Sequence, residues 1–155
     1  MHIFQVNCFF NTLFIPFSAL VLAFVTGCTY VPDTAAPESN LSADEGIDVA
    51  YQIESQGEGR VAGWGRGESM QPVFSDNTVL VIHPIAWEDL EKGMLVAYYG
   101  PAGDRVVHSL IRKRESRDYW MAKGINNMQA DGGRVTKDNL IGVVYASIQT
   151  ANPEE

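Results

Sequence analysis

Five short apolar runs, rich in β-branched and aromatic residues, dominate the chain from about Val49 onward and limit its fold most strongly. The runs cover residues 78–83, 94–99, 105–111, 118–123 and 140–148. Turn-forming segments such as SDN, EKG, GPAGD and ADGG separate them, which is typical of all-β domains. GPAGD predicts a hairpin loop, and AWEDLEK predicts no more than one helical turn. We therefore expect a mostly β fold, with one domain of short antiparallel strands over residues 49–150 and a tail over 151–155.

The composition narrows the classes of partner and cofactor. With 19 acidic and 11 basic residues the net charge is -8, which argues against a nucleic acid partner. Cys8 and Cys28 are the only cysteines, so the body after Cys28 holds no disulfide, thiol nucleophile or cysteine metal site. His83 and His108 are far apart in sequence, and neither has a second ligand at metal-binding spacing. We expect no metal and no cofactor.

The N-terminal segment has the features of an export signal. Residues 13–25 form an apolar block of signal-peptide length, too short to span a bilayer comfortably. The sequence VTGC follows directly and resembles the bacterial lipobox, which implies cleavage after Gly27 and a lipid on Cys28. The first ten residues contain no Lys or Arg, so an uncleaved anchor is the alternative. Either interpretation places the body in the cell envelope, facing the periplasm.

Residues 28–48 form the predicted tether between this signal, residues 1–27, and the domain. The segment is rich in Pro, Ala, Ser and acidic residues and shows almost no apolar periodicity. Such a stretch cannot bury enough surface to offset its ordering entropy, so we expect it to be flexible.

The octapeptide GRGESMQP, residues 65–72, places Ser69 between flexible glycines and a proline. It is either a polar turn or the site of a nucleophile. A serine hydroxyl needs a neighbouring base, and histidine suits this role near neutral pH because its unperturbed pKa is about 6.5. A lysine could act instead only if desolvation removed its proton.

Four segments of the chain, in this order, resemble the type I signal peptidase family. GESMQPVFSDNTVLVI is similar to the nucleophile region, where the reactive serine is followed by Met-x-Pro, a turn and a strand. VVHSLIRKR resembles the Val-His-Arg segment, AKGINNMQAD the Lys-Gly-Asp-Asn-Asn…Asp segment, and LIGVVYA the closing strand. These segments extend from Gly65 to about Ala146, most of the body. The resemblance implies a single signal-peptidase-type β domain.

The same resemblance implies a role for each site residue. In the archaeal and endoplasmic-reticulum branch a histidine at the Val-His position is the base, and His108 stands there. Ser69 is then the nucleophile, and Asp131 is the acidic residue that orients His108. The ordinary bacterial branch uses a lysine further along the chain, which makes Lys123 the rival base.

Three positions depart from the family pattern. The first aspartate of Lys-Gly-Asp-Asn is Ile125 here, the arginine after the histidine is Ser109, and Gly-Asp before the second strand is Gly93-Met94. We expect Ile125 to remove a polar support near the base. His83, at the end of an apolar run, is expected to be structural.

The resemblance implies a serine endopeptidase that cuts extended peptides of exported proteins after small residues. Its partners would be a peptide or protein substrate and the membrane, through Cys28. The alternative is a catalytically inactive envelope lipoprotein that keeps the β fold for protein binding. A self-cleaving domain like the SOS repressors would need a closely spaced Ser–Lys pair, and no lysine lies at that spacing.

Overall fold

The computed structural model describes residues 39–151, which form a six-stranded antiparallel sheet with one helix. The elements are α1 (Ala43–Ser55), β1 (Val61–Trp64), β2 (Thr78–His83), β3 (Leu95–Tyr99), β4 (Arg105–Arg114), β5 (Tyr119–Lys123) and β6 (Leu140–Gln149). Two single 3-10 turns cover Trp87–Asp89 and Glu115–Arg117. The strand order across the sheet is β1-β2-β6-β3-β4-β5. The prediction of a mostly β domain is confirmed.

The interior strand β2 is apolar from Val79 to Ile82, because both faces of the sheet are covered there. Residues 78–82 are all buried. Val79 and Val81 pack with Ala50 of α1 on one face, whereas Leu80 and Ile82 pack with apolar residues of the other face. A strand covered on both sides reads as a continuous apolar run rather than an alternating one.

The expected boundary of the flexible tether is wrong, because the folded domain begins before residue 49. Helix α1 starts at Ala43, inside the segment that composition assigned to the tether. Ser42 caps it through a capping box with Glu45, in which each side chain bonds the other residue's backbone N–H. The backbone N–H of Ala151 donates to the carbonyl of Leu41 (2.7 Å), and Ser39 Oγ donates to the carbonyl of Gln149. These contacts attach residues 39–42 to the end of β6.

The export segment 1–27 and Cys28 lie outside the described residues. Among residues 39–151, no helix combines the length and apolar character needed to cross a membrane.

Two strand edges near the Ser69 loop have no partner strand within the described part of the chain. β1 pairs with β2 alone and forms one border of the sheet. Of β4, only residues 109–114 pair with β5. Residues 105–108 therefore have β3 on one side and an open edge on the other. Both open edges, 61–64 and 105–108, border the same cleft.

Candidate active site

The structure brings together Ser69, His108 and Asp131, three residues from separate parts of the chain. Ser69 Oγ lies 3.0 Å from His108 Nε2, and His108 Nδ1 lies 2.7 Å from Asp131 Oδ2. Because a carboxylate oxygen accepts, Nδ1 of the imidazole carries the proton, and Nε2 of the neutral ring then faces Ser69 as an acceptor. The arrangement can take a proton from the serine hydroxyl and hold the resulting imidazolium.

The loop that carries Ser69 is anchored by apolar side chains on its C-terminal side. Met70 and Phe74 are buried against Leu80 and Ile82. The backbone N–H groups of Val73 and Phe74 both donate to the carbonyl of Met70, which closes a tight turn directly after the serine. The segment GESMQP, residues 67–72, therefore forms a turn and also places the Ser69 hydroxyl beside His108.

The segment after β5 supports this loop from the other side. The backbone N–H of Asn126 donates to the carbonyl of Ser69 (2.9 Å), and Asn126 Nδ2 donates to the carbonyl of Glu68 (3.1 Å). The approach is close enough that a Cβ on Gly124 would lie 2.6 Å from the Ser69 carbonyl oxygen. The same segment places Asp131, whose N–H donates to the carbonyl of Ala122 (2.9 Å).

Tyr98, which the sequence did not single out, is also bonded to this site. Its hydroxyl donates to Asp131 Oδ2 at 2.6 Å, and the residue is 2% exposed. Burial and, after it, the hydrogen bond to Asp131 raise the pKa of Tyr98 well above the usual value for a phenol. The hydroxyl is consequently a proton donor throughout the physiological pH range. An aromatic residue in an apolar run gave no signal beyond that of a core position.

Ser69 and His108 line a cleft of about 550 Å³, whereas Asp131 lies behind His108, outside the lining. Its floor is apolar and consists of Met70, Phe74, Leu80, Ile82, Ala97 and Ile141. Arg66, Asp104 and Arg105 are the charged side chains along it. The backbone N–H of Ser69 has no hydrogen-bond acceptor among residues 39–151.

Lys123 and Ile125 lie apart from this chain of hydrogen bonds. Lys123 is opposite Ser109 in the β4–β5 register, so the two side chains lie on the same face of the sheet. His108, the neighbour of Ser109, points to the other face. Ile125 is 41% exposed and is not part of the cleft lining. Both ring nitrogens of His108 have partners that do not include the residue at position 125, and the effect expected of Ile125 stays a prediction.

His83 lies at the end of β2, outside the cleft, with its ring 5.8 Å from that of Tyr145. Within residues 39–151, no three His, Cys, Asp or Glu side chains are grouped closely enough to hold a metal ion.

Comparisons of the chain with protein-family models, with curated proteins and with solved structures found no match. The geometry of the site is therefore what supports a function.

Proposed function

We propose that the protein is a serine endopeptidase of the signal-peptidase type, which cuts extended peptides of exported proteins after small residues. One observation carries the proposal: Ser69, His108 and Asp131 form a continuous hydrogen-bonded chain beside a cleft large enough for a peptide. His108 is 8% exposed, so the imidazole is shielded from solvent. A serine beside a histidine that is itself oriented by a carboxylate is the arrangement of an activated nucleophile.

The proposed reaction has two steps. Ser69 Oγ attacks the scissile carbonyl while His108 Nε2 takes the hydroxyl proton, and the N–H of Ser69 donates to the oxyanion. His108 returns that proton to the leaving amine, and the C–N bond breaks to give an acyl-enzyme. A water molecule, deprotonated by His108, then attacks the ester and releases the acid and the free Ser69 hydroxyl. Asp131 holds Nδ1 and stabilises the imidazolium in both steps.

The two open strand edges favour an extended substrate. Residues 61–64 and 105–108 both line the cleft, and each has unpaired backbone groups on the side facing away from its partner strand. A peptide laid along such an edge is held by main-chain hydrogen bonds, which leaves the apolar floor to select its side chains. Binding along an open strand edge holds a peptide in an extended conformation, which suits cleavage of extended segments.

The alternative function, a non-catalytic lipoprotein that binds proteins, is favoured by the same open edges, because strand addition needs no nucleophile. Under either function we propose that Cys28 carries the lipid and that the domain faces the periplasm.

The test is cleavage of a mixed peptide library by the full-length protein, with Ser69→Ala as the control. We expect the wild type to cut after small residues, and the variant to be slower by at least about 1000-fold, as for loss of a nucleophile in a catalytic unit. Products are identified by mass spectrometry. If both proteins bind the same peptides and neither cuts any, the binding function is correct and the peptidase is not.

A further inference from the structure

We propose that Tyr98 is a positioning residue of this site, whose hydroxyl fixes the Asp131 carboxylate and limits how strongly that carboxylate holds a proton on His108. This role matters for catalysis only if the proposed function is correct, so the inference rests on that function. Its evidence is geometric: Tyr98 and His108 both donate to one oxygen, Oδ2 of Asp131, at 2.6 and 2.7 Å.

The strand register explains why Tyr98 reaches this oxygen. Val96 is directly opposite His108 in the β3–β4 pair, and Tyr98 is directly opposite Val106. Tyr98 and His108 are therefore diagonal neighbours on the same face of the sheet, a distance that an aromatic side chain can span. Asp131 enters from the segment after β5 and accepts from both.

The ring of Tyr98 is held firmly, so its hydroxyl is a fixed donor. It packs in the core cluster with Leu110, Trp120 and Val135. Asp131 Oδ2 is the only acceptor that the hydroxyl contacts within residues 39–151. Rotation of the carboxylate would break two hydrogen bonds at once, which keeps Oδ2 aligned with Nδ1.

A second donor on Oδ2 also changes the strength of the bond to His108. Two donors share the electron density of one oxygen, so each bond to it is weaker than a sole bond to the same carboxylate would be. The imidazole is then harder to protonate than it would be with Asp131 alone. A base that is free of its proton near neutral pH is what the first step needs.

The experiment follows the titration of the His108 ring by NMR in the full-length protein, in wild type, Tyr98→Phe and Tyr99→Phe. Tyr98→Phe keeps the packed ring and removes one donor from Oδ2. We expect the midpoint of the His108 titration to rise by roughly 0.5 to 1 pH unit, less than the full contribution of a hydrogen bond to a charged group, because the hydroxyl acts on His108 only through Asp131. The other charged side chains along the cleft, Arg66, Asp104 and Arg105, are the same in all three proteins.

Tyr99→Phe is the matched control, because it removes the same atom one residue away. Tyr99 is 46% exposed, and its hydroxyl makes no hydrogen bond with residues 39–151. We expect its His108 midpoint to equal that of the wild type. An unchanged midpoint in folded Tyr98→Phe, or the same shift in Tyr99→Phe, would overturn the proposal.

A second substitution keeps the test decisive if Tyr98→Phe does not fold. Replacing Tyr98 by 3-fluorotyrosine keeps the shape and makes the hydroxyl a stronger donor, so the midpoint is expected to fall. A midpoint that does not fall would contradict the role given to the hydroxyl.

Kinetics separate this inference from the proposed function. If peptides are cut, the acidic limb of kcat/KM in Tyr98→Phe should move by the same amount as the NMR midpoint, with KM nearly unchanged. If peptides are not cut by any of the proteins, the proposed function fails, whereas the NMR midpoints still decide the role of Tyr98.

Discussion

His108 has a hydrogen-bond partner on each ring nitrogen, and this division gives the two nitrogens different tasks. Nδ1 is bonded to Asp131, which fixes the tautomer and the ring plane. Nε2 is bonded to Ser69 Oγ, so the free lone pair points at the hydroxyl. Lys123 has neither partner, and its place in the register puts its side chain on the other face of the sheet.

These positions predict which residue is the base. In the peptide assay, His108→Ala should lose activity by roughly 1000-fold or more, whereas Lys123→Ala should stay within about twofold of the wild type. The double variant Ser69→Ala with His108→Ala should be no slower than either single variant, because both residues act as one unit. The measurement is kcat/KM for one peptide, with thermal melts to confirm folding. An inactive Lys123→Ala beside an active His108→Ala would assign the base to the lysine.

Sequence alone could indicate part of this site. Ser69, His108 and Asp131 are predicted from the resemblance of their segments to type I signal peptidases, and the structure places their side chains within hydrogen-bond distance. Tyr98 could not be predicted, since its ring is a core residue and only the strand register shows where its hydroxyl points. The effect expected of Ile125 on the base stays a prediction, and the structure adds only that its side chain is 41% exposed.

At the scale of elements, the turn after β5 and the Ser69 loop act as one unit. Asn126 donates to the carbonyls of both Glu68 and Ser69, and Gly124 allows the two backbones to approach. Since the same turn continues to Asp131, a displacement there would move the nucleophile relative to its base.

Gly124→Ala should therefore lower kcat/KM more than the addition of a single methyl group usually does. The added Cβ would lie 2.6 Å from the Ser69 carbonyl oxygen, so backbone must shift. A displacement of about 1 Å at a reacting group can cost on the order of 100-fold in rate, and overpacking costs about 1–3 kcal/mol in stability. The measurements are kcat/KM and the free energy of unfolding in urea.

Gly132→Ala is the matched control, because a Cβ there would meet nothing within 4 Å. It should resemble the wild type in both measurements. Equal losses of kcat/KM and stability in Gly124→Ala and Gly132→Ala would contradict the prediction, because the close approach to Ser69 would then not be the cause.

Five of the six strands could be predicted from apolar runs, because β2 to β6 each carry β-branched or aromatic residues between clear turns. β1 was missed since VAGW is short and contains a glycine. Helix α1 was missed because its first turns continue the acidic, Ser- and Ala-containing composition of the tether, although Ile47, Ala50 and Ile53 stand at helical spacing and pack against the sheet. The signal that could have found it is local: Ser42 and Glu45 have capping-box spacing.

At the scale of the whole molecule, the proposed lipid anchor on Cys28 would determine where in the cell the cleft meets peptides. Cys8 and Cys28 are the two cysteines of the chain, and VTGC ends at Cys28. Cys28→Ala should release the protein from the membrane fraction and abolish labelling with a radioactive fatty acid, because the acyl chains supply the membrane affinity. Cell fractionation and labelling measure both effects. Cys8→Ala, the control, should keep the lipid, and unchanged membrane association in Cys28→Ala would identify residues 13–25 as an uncleaved anchor instead.

The hydrogen bond from Ala151 to Leu41 makes the domain almost a closed ring. A few flexible residues could join its two ends, and new ends could be opened in the exposed turn at 115–118, since circular permutation succeeds at such sites. The permuted chain would keep every strand pairing around the cleft. If the permuted domain were attached to a membrane through its new end, the cleft would lie at a different height and orientation. Comparing the two proteins would show whether access of peptides to the cleft depends on the point of attachment.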